Sequence, residues 1–423
     1  MRTWQKWGST LMLGAALGTV QAQILVGQTA GFSGVVGAGV QETAAGAKLY
    51  IDAVNAKGGV HGQKIELISL DDKFDPKTAG ENARVLIEDK KVDVMFLTRG
   101  TPHTEAIIPH LDRHGVALVA PSTGAMVLHQ PVRKHVFNVR ATYQREAEKA
   151  MTHLATLGMN RIAVLYADDS FGADGVAGAQ KGLDAARLQP VVLDKFNRAQ
   201  PDFAPLAARI AQAQAQAVLI IGSGTTVADG YAALRKAGST AQLVTLSNNA
   251  SSGLIKSLGA QARGVIVSQV FPNERSLAYP LVKEALELSK AGGQGDISPA
   301  MLEGFAAAKV LVEGLRRAGP KPTREKIQAA LEAIQQYDLG GLPISYGQKD
   351  HTGLDFADLS IIGADGKFRR GRRPAQPVKK PACAGFFVAK RWHYLAAPAA
   401  VGAAGSGACT ASAPCFSPLR STL

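Results

Sequence analysis

The chain has 423 residues and is 46% hydrophobic, too apolar for a largely disordered polymer and long enough for two or three domains of roughly 100–200 residues. A formal net charge of +13 would by itself suggest a nucleic-acid or anionic-surface partner. Nine of those charges lie in residues 1–22 and 371–423, which hold basic residues and no acid, so residues 23–370 carry only four and the case for nucleic acid goes with the ends.

In chain order, Arg2 and Lys6 precede an apolar run from Leu11 to Val20 and the sequence Val20-Gln21-Ala22. This is the layout of a secretory signal cleaved after Ala22, too short to span a bilayer. No cysteine stands at the cut to carry a lipid, so a soluble periplasmic protein is expected. From Gln23, short β-branched runs alternate with amphipathic stretches, the pattern of parallel sheets covered by helices. Strands are expected at Ile24–Thr29, Lys64–Leu70, Val92–Leu97 and Val116–Ala120. A second series follows at Arg161–Tyr166, Pro190–Lys195, Ala217–Ile221, Leu243–Leu246 and Gly264–Ser268. Asn55-Ala56-Lys57-Gly58-Gly59 ends the first long helix with glycines suited to positive φ, and Asp75-Pro76 opens the next.

The chain changes series at Phe137-Asn138-Val139-Arg140 and returns near Gln269-Val270-Phe271-Pro272, after which helices are expected at 276–290, 298–317 and 322–335. The pattern predicts one lobe from 23–139 plus 270–340 and a second from 140–269 plus 341–370. The second closes on a hairpin, Leu359–Gly363 against Lys367-Phe368-Arg369 across Asp365-Gly366. Beyond Arg370 the composition shifts to Ala, Pro, Gly and Ser with all three cysteines, Cys383, Cys409 and Cys415. Residues 371–423 are therefore expected to be a basic, disordered extension, arising from a frameshift or lost stop codon or serving as a membrane-surface arm. Residues 23–370 must fold without disulfides or thiolate metal ligands.

Several pieces, in this order, resemble the periplasmic substrate-binding proteins of ABC transporters of the branched-chain amino acid (Leu/Ile/Val-binding) type. They are Gly27-Gln28-Thr29-Ala30-Gly31-Phe32-Ser33-Gly34, Ile51 through Gly62, Asp71-Asp72 with Asp75-Pro76, and Gly100-Thr101-Pro102. Ala120-Pro121-Ser122-Thr123-Gly124, Asp168-Asp169-Ser170-Phe171-Gly172 and Ser268-Gln269-Val270-Phe271-Pro272 follow. The resemblance, over about 25–370, implies a type I periplasmic-binding fold: α/β, two doubly wound parallel-sheet lobes joined by three crossover strands around a ligand cleft. It also implies a permease in the membrane that reads lobe closure.

Ligands of open parallel sheets bind beyond the carboxyl ends of the strands, near helix N-termini. The loop Thr98-Arg99-Gly100-Thr101-Pro102 fits, with Thr101 expected as helix cap and Pro102 as first helical residue, as does Pro121-Ser122-Thr123-Gly124. In the resembled family these loops hold the ligand's carboxylate. The second lobe is expected to add Phe171, where the family commonly has Tyr, together with Gly224-Thr225 and Ser247-Asn248-Asn249. Members that bind amino acids typically place an acid near this last loop for the α-ammonium. Its amides and hydroxyl cannot neutralise a buried ammonium, which favours an aromatic or aliphatic carboxylate unless Asp168, Asp169 or Asp229 supplies the charge. Arg99 and His103 could reach an anionic ligand or form a solvated rim. His110 and His114 have metal-ligand spacing but no third ligand, and are expected to be a surface pair.

The chain lacks enzyme signatures: Gly31-Phe32-Ser33-Gly34-Val35 misses one glycine of the nucleophile elbow and Ile221-Gly222-Ser223-Gly224-Thr225 misses both, and neither a phosphate loop nor a dinucleotide fingerprint occurs. No catalytic residue, metal or cofactor is expected. The function expected is a monomeric periplasmic solute-binding protein that delivers a small carboxylate-bearing ligand, an amino acid or an aromatic or aliphatic acid, to ABC permease subunits. A sensor of the same fold without transport is the alternative, and an exported hydrolase a more distant one.

Overall fold

The computed structural model describes residues 23–293 and 295–370. The expected signal segment and the expected extension 371–423 lie outside the described residues.

The first sheet is built from β1 (Ile24–Ala30), β2 (Ile65–Asp71), β3 (Val94–Phe96), β4 (Leu118–Val119) and β5 (Val136–Phe137). The strands are all parallel, in the order β2-β1-β3-β4-β5. Helices α1 (Gly37–Ala56), α2 (Pro76–Arg84) and α3 (Thr101–His114) connect them. Because helices cover both faces, β1 and β3 are apolar and buried nearly throughout, whereas the edge strand β2 alternates with solvent. The expected strand at Val116–Ala120 shrinks to two residues, and Phe137, read from sequence as crossover, is a strand. Leu97 and Ala120 take φ of +52° and +55°, turning the chain out of the sheet directly after β3 and β4.

The second series comprises α4 (Tyr143–Thr156), β6 (Ile162–Ala167), α5 (Ser170–Ala185), β7 (Val192–Phe196), α6 (Ala204–Gln212), β8 (Ala217–Ile221), α7 (Thr225–Lys236), β9 (Gln242–Thr245), α8 (Ser252–Leu258) and β10 (Ile266–Gln269). The chain then recrosses: Val270 and Phe271 enter the first lobe's core with α9 (Pro280–Ala291), α10 (Pro299–Ala318) and α11 (Arg324–Glu332). Helices α1 and α10 pack in contact because Gly46 and Gly304 lack side chains. A Cβ on either would lie 1.8 Å from a carbonyl oxygen, of Met301 and Thr43 respectively.

One expected boundary is corrected. The sequence pattern places residues 341–370 wholly in the second lobe, but β11 (Tyr337–Asp338) and β12 (Pro343–Ile344) form a hairpin after α11. Tyr346 N then donates to Ile334 O at 2.8 Å, and Leu342, Ile344, Tyr346 and Leu354 fill the first lobe's core. Only β13 (Asp358–Ile362) and β14 (Phe368–Arg370) join the second sheet. Its order is β14-β13-β10-β9-β8-β6-β7, with β13 and β14 antiparallel at one end. The chain thus passes between lobes three times, and the third passage lies beside the first, with Leu354 N donating to Val139 O. Among the described residues no helix is long and apolar enough to cross a membrane.

Candidate functional site

The loops that leave β3 and β4 stand side by side at the carboxyl edge of the first sheet, the β3 loop bordering the point between β1 and β3 where the strand order reverses and ligand sites of such sheets form. Thr101 is not the cap of α3. Gly100 holds that position at φ +89°, with no side chain to contribute, and Thr101 is the first helical residue. Its hydroxyl is thereby free to meet Thr123 Oγ1 at 2.8 Å, linking the two loops. Thr101, Ser122 and Thr123 are all buried. Gly124 serves packing, since a Cβ there would lie 2.5 Å from Ala141 O in the first interlobe passage.

Arg99 is not a solvated rim residue. It is 5% exposed, its Nη1 donates to Ser122 Oγ at 3.1 Å, and its Nη2 donates to the backbone carbonyl of Asn248 in the second lobe. Burial pushes its pKa below the ordinary guanidinium value against the opposing influence of Tyr143 and Glu303, and the nearby Arg140 and Arg198 add to the lowering. Among the described residues its direct partners are neutral, so a buried cation bridges the lobes without a carboxylate in contact.

Beneath Arg99 lies a network that sequence reasoning did not assemble. Ser122 Oγ donates to Glu303 Oε1 at 2.8 Å. Arg140, in the first passage between lobes, pairs with Glu146, stands 3.6 Å from Glu303 and donates to Ser247 Oγ at 2.6 Å. Glu146 also accepts from Ser247 N and from the Ser268 hydroxyl. Arg140 is buried, which opposes its charge, but Glu303 and Glu146 outweigh that and hold its pKa above the ordinary value. Glu303 was legible only as an acid inside the apolar stretch Ala300–Leu311, and Arg140 only as the end of a crossover motif; neither signal names a partner.

In the second lobe, Asn248 and Asn249 are spent on structure. Both side-chain amides donate to Gly222 O at 3.0 Å, and Asn249 Oδ1 accepts from Gly224 N at 2.8 Å. These bonds fix Gly224 at φ +60° against the first lobe, where a Cβ would lie 1.8 Å from Val35 O. Thr225 is exposed beside it. Further ties between lobes run from Glu42 to the backbone N–H groups of Ser252 and Gly253, and from Ser170 Oγ to Glu105 at 2.5 Å. The space between the lobes near Arg99, Gly224 and Asn248 is about 60 Å³, far below the ~300 Å³ of a small-molecule pocket. A larger cavity of about 380 Å³ lies away from the cleft, along α1 and β2 and lined by Gln41, Lys48 and Leu67.

Of the acids considered as ammonium partners, Asp169 caps α5 and pairs with Arg198, Asp168 pairs with Lys195 at the surface, and Asp229 is exposed. His114 bonds Glu88 at 2.9 Å rather than sharing a ligand with His110.

Phe171 packs edge-on to Tyr143 at 4.8 Å between ring centroids. Tyr143 is hydrogen-bonded to Thr123 and lies under the Arg140 guanidinium at 4.7 Å. His103 is buried and stacks on Phe74 at 4.2 Å, so it offers no rim charge. Burial lowers its pKa to about 4, and the same cause lowers that of buried His129 to about 4.

These two depressed values predict an acid-labile fold. Each histidine is neutral when folded but titrates near 6.5 when unfolded, so the unfolded chain binds more protons below that pH. Stability is full above pH 6.5 and falls as pH drops through about 4, by about 3 kcal/mol per histidine at ~1.4 kcal/mol per pKa unit. Asp72, raised to about 6 by burial, opposes this and offsets about one histidine. Urea unfolding from pH 8 to pH 4 is expected to show the remaining loss, with a shallower slope in His129→Leu; a slope unchanged by that substitution would count against the assignment.

The model of the periplasmic binding protein family matches residues 23–358. Leu/Ile/Val-binding protein BraC3 of Rhizobium johnstonii is 25% identical over 344 residues, which cover 79% of this chain and 91% of the relative. A substrate-binding periplasmic protein from Ralstonia solanacearum superposes with a TM-score of 0.76 at 31% identity, covering 82% of this chain and 100% of that one. An extracellular ligand-binding receptor from Verminephrobacter eiseniae superposes with a TM-score of 0.73 at 30% identity, with coverages of 82% and 99%.

Proposed function

This chain belongs to the periplasmic binding protein family, and we propose that within it the protein captures a small carboxylate-bearing ligand in the periplasm by lobe closure and hands it to an ABC permease. The observation that carries the ligand class is Arg99, a buried guanidinium held between the lobes by neutral partners. A buried cation with no carboxylate in direct contact, Glu303 acting on it only from beyond Ser122, is costly, and a ligand carboxylate laid against Arg99, Thr101, Ser122 and Thr123 relieves that cost. Because Arg99 reaches Asn248 across the cleft, an anion bound there touches both lobes, the condition for a ligand to favour closure. The acids nearest the site, Glu146, Glu303 and Asp169, are engaged by Arg140 and Arg198. The ligand therefore lacks an α-ammonium, unlike the amino acids named for several relatives. The relatives it matches are binding proteins, which supports reading the site as one that binds and releases its ligand.

Mass spectrometry of ligand released from the purified protein tests this directly, supported by a thermal-shift panel pairing leucine with 4-methylpentanoate. Selective stabilisation by leucine would overturn the claim about the ammonium. Thr101→Ala combined with Ser122→Ala is expected to weaken binding by about 10–100-fold, at roughly 1 kcal/mol or more per lost hydrogen bond to a charged group. Titration calorimetry giving unchanged affinity would sink the anchor assignment.

A further inference from the structure

Ser122 stands in the proposed carboxylate anchor with its hydrogen already committed. A serine hydroxyl has one hydrogen to give and two lone pairs to receive. That hydrogen goes to Glu303 Oε1 at 2.8 Å, and one lone pair accepts from Arg99 Nη1 at 3.1 Å. A carboxylate only accepts, so Ser122 has no hydrogen for an anionic ligand while ionised Glu303 holds it. Two hollows adjoin Arg99, one of about 60 Å³ toward Gly224 and Asn248, and one of about 10 Å³ shared with Ser122, Gln28 and Thr43.

The charges around Arg99 point the same way. Arg99, Arg140 and Arg198 are matched by Glu146, Glu303 and Asp169, and Arg99, Arg140, Glu146 and Glu303 are buried. A carboxylate without an ammonium adds a negative charge that this balanced group does not neutralise, and burying it so is costly. Of the three acids Glu303 is held least. Arg140 pairs directly with Glu146, which also accepts from Ser247 N and the Ser268 hydroxyl, but stands 3.6 Å from Glu303. Asp169 caps α5 and pairs with Arg198.

We infer that the ligand carboxylate binds together with a proton, and that Glu303 holds this proton. The inference rests on the carboxylate reading above and adds the proton as a second ligand of the same site. The proton comes from solvent and converts the Glu303 carboxylate to the acid. Its O–H then donates to Ser122 Oγ, the Ser122 hydroxyl turns to donate to the ligand, and Arg99 keeps its bond to the remaining lone pair. Glu303 is thus a positioning residue that acts on the ligand through Ser122. Its charged surroundings are Arg140, Arg99 beyond Ser122, and Glu146 and Tyr143 of α4 beyond Arg140. On the helices packed against α10, Glu42 of α1 is engaged by Ser252 and Gly253 N–H groups, and Tyr50 of α1 lies edge-on to Phe305. Glu284 of α9 pairs with Lys309, and Arg324 of α11 donates to backbone carbonyls. Among the described residues none of these four bonds Glu303.

The test is titration calorimetry of the mature chain with 4-methylpentanoate and benzoate, in phosphate and in imidazole buffer, whose different heats of ionisation report the protons exchanged. Between pH 6.5 and pH 8 the free acids are ionised, and His103 and His129, with values of about 4, stay neutral. Binding is expected to take up at least about half a proton, so affinity falls about threefold or more per unit rise in pH. In Glu303→Gln the amide donates to Ser122 at every pH. Uptake is expected to vanish there and affinity to be constant across the range, no weaker than that of the unsubstituted protein at pH 8. A residue that only supported the fold would lower affinity equally at every pH and leave the uptake in place. Should Glu303→Gln unfold, infrared difference spectra of the unsubstituted protein make the assignment. Binding of carboxyl-labelled acid is expected to convert a protein carboxylate band to a carboxylic-acid band that the label does not shift. Binding without proton uptake overturns the inference and leaves the carboxylate reading standing. Uptake that persists in Glu303→Gln, or an acid band that moves with the label, also overturns it. If 4-methylpentanamide binds as tightly as 4-methylpentanoate, if leucine binds more tightly than both acids, or if neither acid binds at millimolar concentration, the ligand reading itself falls and the inference with it.

Discussion

Arg99→Ala is expected to weaken binding of a carboxylate ligand by about 100-fold while leaving the melting temperature of the ligand-free protein unchanged or slightly raised. The two halves of this result have one cause. In the folded protein the guanidinium is buried against Ser122 Oγ and a backbone carbonyl, contacts that do not neutralise it, so its removal takes away a desolvation cost as well as two hydrogen bonds. With the ligand in place the same group is one half of a buried charge pair, whose truncation typically costs 2–5 kcal/mol, or about 30–5,000-fold. Calorimetry and a thermal melt on one preparation separate the effects. A binding loss accompanied by a large drop in melting temperature would mean that Arg99 holds the loops rather than the ligand.

Arg140→Met is expected to act in the opposite sense, with a large loss of stability of about 3–5 kcal/mol. Arg140 is the central cation of a buried group in which Glu146 and Glu303 come from different lobes, and its loss strands Glu146 with only Ser247 N and the Ser268 hydroxyl for partners. The measurement is the urea midpoint, expected to fall at nearly constant m-value. Adding Glu146→Gln should recover part of the loss, because the charge left unpaired is then also gone. A single-variant loss under about 1 kcal/mol, or a double variant worse than the single by the full cost of Glu146→Gln alone, would show that the network is not coupled.

Much of the molecule could be read before any coordinates. The period of the apolar runs, the glycines after α1, the Asp75-Pro76 start of α2 and the Asp365-Gly366 hairpin are local signals, and each marks the element it predicts. Individual loops could be singled out by the same logic, since Gly100-Thr101-Pro102 and Pro121-Ser122-Thr123-Gly124 follow strands and precede turns or helices. The partners of those loops could not. Asn248 and Asn249 resemble ligand donors in sequence because amides at a strand end are suited to that role. Their amides are instead consumed by Gly222 O, 26 and 27 residues away. Thr101 resembles a cap, but the cap position fell to Gly100 because only a residue tolerant of φ +89° makes the turn out of the strand loop.

What the sequence by itself determined is therefore everything set by neighbours along the chain: two α/β series, their helix caps and turns, and a core region with little net charge once the ends are set aside. The tertiary structure alone decided which charges meet. Arg99 and Asn248 are 149 residues apart, Ser122 and Glu303 are 181 apart, and Phe74 faces Arg198 only across the cleft. Such pairings depend on three passages of chain between lobes and on loops packed within ångströms of each other at Gly224 and Gly124. No spacing in the sequence encodes them, because the free energy that selects them belongs to burial of charged and aromatic groups that come together only when both lobes have folded.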